Sequence, residues 1–217
     1  MANDLATHVL ETARAMNASG INRGSAGNVS ARIPGDEFGF LITPTGMSYE
    51  RSTPADMAKV GAGGTTSGPR LPSSEWRFHH DIYRARPDAG AVLHAHSPFA
   101  TALACQQLAV PAFHYMVARF GGVDVRCADY ATFGTQELSD AMLVALEDRS
   151  ACLMAHHGMV VIGRDLEQAL ALAIELETLC EQYWHVLQLG VPKLLDEAEM
   201  SIVCEKFSSY GQQTERR

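Results

Sequence analysis

The spacing of hydrophobic positions changes several times along the chain. Near the start, Ala6, Val9, Leu10, Ala13 and Met16 recur at three- and four-residue steps, which predicts one buried helix face, and Gly20 supplies a stop. NRGSAGNVSARI and FGFLITPTGMSYE then alternate short β-prone runs with turns containing Gly and Pro. VGAGGTTSGPRLP has strand-like sequence before it and helix-like sequence after it, so it reads as a long hairpin turn rather than a linker. SSEWRFHHDIYRARP predicts a short helix capped by Ser73 or Ser74, with Pro87 just beyond its end. The apolar run AVLHA predicts a strand, and a helix begins at about Pro98.

VDVRCA is a further strand, TQELSDAMLVALEDRS a further helix, and ACLMA and MVVIG two apolar strands across a tight HHG turn. The longest predicted helix covers about 165–189, with Leu166, Ala169, Leu170, Ala173, Leu176, Cys180, Tyr183 and Leu187 on one side. A last helix starts near Asp196, where Asp196 and Glu199 have capping-box spacing. Strands and helices interleave throughout without repeats, which predicts an α/β domain with helices on both faces of a central sheet. The 217 residues fit one such domain, with a tail after about residue 207 expected to be mobile.

Composition narrows the function classes. Hydrophobic residues make up 47% and the formal charge is -8, so the chain lacks the basic balance of a general nucleic-acid binder. A phosphorylated small molecule stays compatible, because a pocket supplies its own donors. No apolar run is long enough for a membrane-spanning helix, and the polar, acidic start does not read as a signal peptide. Five scattered cysteines without a Cys-x-x-Cys pair predict reduced, mostly buried thiols and a cytoplasmic protein.

The candidate chemistry lies in histidines and small-residue turns. Side chains two apart on a strand share a face, so His94 and His96 project into the same space. Two imidazoles on one face, with a third from the HHG turn, offer an open zinc site, and Glu75 offers a carboxylate for proton chemistry. Periodicity does not decide between His156 and His157. The adjacent His79 and His80 on a predicted helix face different directions, so one is expected packed and the other solvated. GSAGN (24–28), TPTG (43–46) and PSSE (72–75) each can present N–H and hydroxyl donors to an anion, the last at a helix N-terminus. None matches a P-loop or dinucleotide fingerprint.

INRGSAGNVSAR, LITPTGMSYE, LPSSEWRFH, VLHAHS, FHYM, YATFGTQELS, HHGMVVIG and the terminal EKFSSYG together resemble the class II aldolase/adducin family, in order and spacing, over essentially the whole chain. The resemblance implies a mainly antiparallel sheet sandwiched by helices, and a homotetramer with active sites between subunits. It implies one Zn²⁺ per subunit held by His94, His96 and His157, with Glu75 as a resting-state ligand that is displaced to act as base. Ser25, Asn28, Thr45, Gly46, Ser73 and Ser74 match a phosphate cradle. Tyr115 and Tyr210 match tyrosines that act on the aldehyde half across the subunit boundary. The implied reaction is reversible cleavage of a ketose 1-phosphate to dihydroxyacetone phosphate and a small aldehyde, through an enediolate whose charge the metal spreads. L-Fuculose 1-phosphate and 5-deoxy- or 5-methylthio-pentulose 1-phosphates are the implied substrates.

Two other readings share the fold: a metal-dependent epimerase, dehydratase or decarboxylase of a phosphorylated sugar or sugar acid, and a non-enzymatic adducin-like interaction domain. The chain departs from the family pattern at VARFGG, where Arg119 and Phe120 replace a small, alanine-rich stretch, and at Ser25, where threonine is usual.

Overall fold

The computed structural model describes residues 2–36 and 38–209. Its eight strands are β1 (Asn28–Arg32), β2 (Phe40–Ile42), β3 (Ala58–Val60), β4 (Thr66–Ser67), β5 (Ala91–Ala95), β6 (Arg126–Ala128), β7 (Ala151–Met154) and β8 (Gly158–Gly163). They form one sheet in the order β4-β3-β2-β1-β5-β8-β7-β6. Only the β6–β7 pair is parallel; every other neighbour is antiparallel. The helices are α1 (Ala2–Ala18), α2 (Trp76–Ala85), α3 (Pro98–Cys105), α4 (Gln136–Ala145), α5 (Leu166–Leu189) and α6 (Glu197–Ser209), with short 3₁₀ turns at Pro54–Asp56 and Tyr115–Phe120. The mainly antiparallel sheet between helices is the architecture the sequence predicts.

The strand β5 lies near the middle of the sheet, between β1 and β8, and all five of its residues are buried. Its alternation sorts the two cores. Ala91, Leu93 and Ala95 enter the core that contains α1, α3 and α5, whereas Val92 joins the core beneath α2 and α4. His94 shares the Val92 face and meets the ring edge of Phe78 on α2, with centroids 5.7 Å apart. The register places Asn28 of β1 and Val160 of β8 directly opposite His94.

Helix boundaries follow local chemistry. The five apolar residues expected on α1 are buried, and Gly20 closes its end at φ +82°. Thr135 caps α4 by accepting from the Leu138 N–H, and Asp165 caps α5 by accepting from the Gln168 N–H, each worth about 1 kcal/mol. Asp196 Oδ1 accepts from the Glu199 N–H at 2.8 Å, and α6 runs past residue 207 to Ser209. At α2 the expected serine cap is corrected: the N-cap residue is Glu75, and its side chain makes no capping bond. Its carboxylate is turned toward histidines instead, while Ser73 Oγ accepts from the Glu75 N–H at 3.3 Å. The contrast expected between His79 and His80 is also corrected, since both are buried. The glycine-rich β3–β4 hairpin covers His80, whose Nε2–H donates to Ala62 O at 2.8 Å. All five cysteines are free; burial pushes the Cys127 thiol up to about 11 and raises Cys152 and Cys180 well above the ordinary thiol value.

Candidate metal centre and active site

The structure brings His94, His96, His157 and Glu75 together. One ring nitrogen from each of the three histidines lies within 4.8 Å of the others, and His94 Nε2 is 3.0 Å from His96 Nε2. Glu75 Oε2 lies 3.2 Å from His94 Nε2, and Glu75 Oε1 lies 3.0 Å from His157 Nε2. His94 Nδ1 donates to the Met159 carbonyl at 2.9 Å, which turns Nε2 into the cluster. Between His156 and His157, the backbone decides. His156 takes the left-handed conformation, φ +56°, at the β7–β8 turn, and its ring turns out against Tyr130 while His157 faces Glu75.

These residues fit a divalent metal. Glu75 Oε1 is a buried acceptor that makes no hydrogen bond among the described residues, although His157 lies beside it. The edges of 3.0–3.2 Å among these donors are close to those of a tetrahedron with bonds of about 2.0–2.1 Å. Burial, reinforced by His94 and His157, lowers His96 to about 4, so it is neutral as a ligand must be. Burial alone would raise the Glu75 carboxyl, but the imidazoles of His94 and His157 outweigh it and hold the group ionised.

The backbone gives this cluster little slack. A Cβ on Gly158 would sit 2.5 Å from Ala95 O and 3.1 Å from His96 Cδ2, and one on Gly27 would overlap His94 O. Directly after His96, the carboxylate of Glu177 on α5 accepts from Ser97 Oγ at 2.7 Å and from the Phe99 and Ala100 N–H groups at 2.8 Å. A carboxylate there satisfies orphan donors at the start of α3 and fixes the turn that carries His96.

The three small-residue stretches adjoin one another beside the histidines. Thr43 N donates to Val29 O, Ser73 N to Thr43 O and Thr45 N to Leu71 O, at 3.0–3.1 Å. The Tyr49 hydroxyl donates to Gly27 O and ties the TPTG segment to GSAGN. Ser25, Thr45, Gly46 and Ser74 are exposed, while Ser73 and Asn28 are buried. Asn28 Nδ2 donates to Glu75 Oε2 at 2.9 Å and reaches Ser73 Oγ at 3.1 Å, linking the cradle to the carboxylate.

A cavity of about 310 Å³ opens on the cluster, lined by Glu75, His96, His157, Ser74, Tyr130 and Phe133 among others. Tyr130 and Phe133, from the loop before α4, lie in the YATFGTQELS stretch but received no site role from the sequence. Tyr115 does not line this cavity; it is half exposed and lines another, of about 770 Å³, with Phe113, Met116 and Phe207. Arg119 in that wall pairs with Glu175 at 3.1 Å, and Phe120 is fully buried in the core, so the VARFGG departure adds no unpaired charge there. Tyr210 lies outside the described residues.

The family profile described as Class II Aldolase and Adducin N-terminal domain matches residues 7–184. The chain is 53% identical over 203 residues to a 5-methylthioribulose-1-phosphate/5-deoxyribulose-1-phosphate aldolase of Rhodospirillum rubrum, covering 94% of this chain and 90% of that protein. It is 45% identical over 211 residues to the L-fuculose phosphate aldolase of Escherichia coli K12, covering 96% of each. Among solved structures, an L-fuculose 1-phosphate aldolase superposes with a TM-score of 0.91 at 34% identity, covering 94% of this chain and 96% of that one. Profile, relatives and fold agree, and the chain belongs to the class II aldolase and adducin N-terminal domain family.

Proposed function

We propose that the chain is a zinc-dependent aldolase that reversibly cleaves a 5-deoxy- or 5-methylthio-pentulose 1-phosphate, or L-fuculose 1-phosphate, to dihydroxyacetone phosphate and a small aldehyde. One observation carries this reading: the ionised Glu75 carboxylate and three converging imidazoles meet at a cavity that Ser74 also lines, beside the adjoining small-residue turns. The identity of 53% to a methylthioribulose/deoxyribulose phosphate aldolase, against 45% to a fuculose phosphate aldolase, supports taking the pentulose phosphates as the first candidates.

His94, His96 and His157 would hold the metal, with Glu75 as the resting fourth ligand, and a zinc ion there supplies Lewis acidity for charge developing on substrate oxygens. Ser25, Thr45, Gly46, Ser73 and Ser74 bind the phosphate, with the buried Asn28 amide bonded to Ser73 Oγ behind them, and this remote binding energy keeps C3 and C4 in register. In the cleavage direction the C4 hydroxyl loses its proton to the phenolate oxygen of a tyrosine, Tyr115 or Tyr210, contributed by a neighbouring subunit, and the resulting phenol returns it in condensation. The C3–C4 bond then breaks, its electron pair stays with the three-carbon half, and C4 becomes the aldehyde carbon. Glu75, having taken up a proton from water on leaving its resting position, delivers it to C3, and in condensation the carboxylate removes one. Positioned acid–base steps of this kind contribute about 10²–10⁴-fold.

The separation of Tyr115 from the histidine cavity supports a homotetramer in which a neighbour completes the site. The decisive assay offers metal-loaded protein a panel of these ketose 1-phosphates and measures release of dihydroxyacetone phosphate. Release from a pentulose 1-phosphate is expected; no release from any member overturns the proposal. Analysis of the same mixtures by NMR separates aldol cleavage from epimerisation, dehydration and loss of CO₂.

A further inference from the structure

Behind Glu75 runs a chain of polar side chains that the reaction does not touch. Glu75, His79 and Tyr83 are four residues apart and form one stripe at the start and along α2; Asn28 and Ser30 lie two apart on one face of β1. The two elements interleave. The Tyr83 hydroxyl is 2.9 Å from Ser30 Oγ, Ser30 Oγ is 2.7 Å from His79 Nδ1, and His79 Nε2 is 2.5 Å from Asn28 Oδ1. Asn28 Nδ2 then reaches Glu75 Oε2 at 2.9 Å and Ser73 Oγ at 3.1 Å. Asn28, Ser30, His79 and Tyr83 are each no more than 1% exposed, so every donor must meet an acceptor within the protein.

That requirement sets a direction. An ionised carboxylate only accepts, so Asn28 must present its NH₂ group to Glu75 and its carbonyl to His79. The carbonyl only accepts, so His79 must donate from Nε2. A neutral ring then accepts at Nδ1, which takes the single Ser30 hydroxyl proton. Ser30 Oγ in turn accepts from Tyr83. Burial, assisted by His94, lowers His79 to about 3, in keeping with a neutral ring. Phe78 and Phe40 both stack near-parallel to that ring, 21° from its plane, at centroid distances of 4.7 and 6.4 Å.

We propose that Tyr83, Ser30 and His79 form a one-way hydrogen-bond chain that locks the Asn28 amide with its NH₂ group on Glu75 and Ser73, which makes His79 a positioning residue for the base. The reversed amide would set its carbonyl against the carboxylate, acceptor against acceptor. His79 touches neither metal nor substrate in this arrangement; it acts through Asn28. The proposal rests on the reading of Glu75 as the group that moves the C3 proton.

The test has a part that needs no turnover. In protein with ¹⁵N-labelled histidine, His79 is expected as the Nε2–H tautomer with Nδ1 bare, with or without metal; an Nδ1–H tautomer overturns the proposal. In metal-loaded enzyme, His79→Phe keeps the ring volume and deletes both nitrogens. It is expected to lower kcat about 10–100-fold, the range for partners that orient active-site groups, with KM changed less than about threefold. His79→Gln offers Asn28 an N–H donor again and is expected to recover most of kcat. Ser30→Ala, smaller in volume, orphans His79 Nδ1 and the Tyr83 hydroxyl and is expected to lower kcat by more than its loss of stability accounts for. Unchanged kcat in both His79→Phe and Ser30→Ala, or loss in proportion to stability alone, overturns the proposal. If the parent protein releases no dihydroxyacetone phosphate, the aldolase reading fails, and the tautomer still decides the hydrogen-bond chain.

Discussion

The two ends of the site are built in opposite ways. At the metal end, His94 is fully buried, Glu75 nearly so, and each is oriented by partners from other elements: Met159 O for His94, Asn28 for Glu75, and Glu177 for the turn after His96. At the other end, Tyr115, Tyr130 and Phe133 are 50%, 62% and 64% exposed, and Tyr115 lines a separate cavity. A single chain therefore pre-organises the groups assigned to the reacting carbons. It does not by itself enclose the aldehyde. Exposed aromatic side chains beside a polar site are places where a neighbouring subunit or a ligand gains contact area.

The sharpest way to break this contrast is at the metal. Chelation, or His94→Ala, is expected to lower kcat/KM by at least about 10³-fold, because Lewis-acid stabilisation is worth several kcal/mol and 1.36 kcal/mol is tenfold. Added zinc should restore the chelated protein but not the variant; activity that survives chelation would remove the metal from the reaction. Next in size is Glu75→Gln, expected to retain metal by elemental analysis and to lose about 10²–10⁴-fold in kcat. A fully active Glu75→Gln protein would end the assignment of Glu75 as base.

A smaller effect is expected at Glu177. Glutamine there offers one acceptor oxygen to three donors, so Glu177→Gln should weaken metal affinity or activity about 10–100-fold, as read by competition with a chelator and by kcat. A lowered melting temperature with unchanged metal affinity would mark it as a helix cap only. The least effect on rate belongs to the exposed rim. Phe133→Ala is expected to shift the preference between aldehydes by about tenfold or less, while proton exchange at C3 of dihydroxyacetone phosphate stays near the parent rate. Loss of that exchange would place Phe133 with the chemistry instead.

Much of the fold was legible because its signals are local. Three- and four-residue spacing marks α1 and α5, a short apolar run marks β5, and Pro98 and Gly20 mark a beginning and an end. The pairing of His94 with His96 was legible for the same reason, although β5 ends at Ala95 and His96 stands just beyond it. The choice of His157 over His156 came only through the family resemblance, because it depends on a left-handed residue in the turn rather than on period two. Contacts over long sequence separation escaped as well: Glu177 meets Ser97 80 residues away, and Asn28 meets Glu75 47 residues away. The serine cap of α2 failed for a functional reason, since the N-cap carboxylate faces the histidines and not its own helix. One overlooked signal was available: Glu75, His79 and Tyr83 recur every fourth residue, three polar groups on the helix face that also carries buried apolar residues.

The close approach at Gly27 and Gly158 bears on how such a protein can change over generations. No side chain fits where β1 and the HHG turn meet the histidine strand, so drift has nothing to vary at the backbone around the ligands. Novelty has to enter from the exposed aromatic rim, where a new side chain displaces only solvent. An ancestor with this framework can acquire a different aldehyde without renegotiating how it breaks the bond.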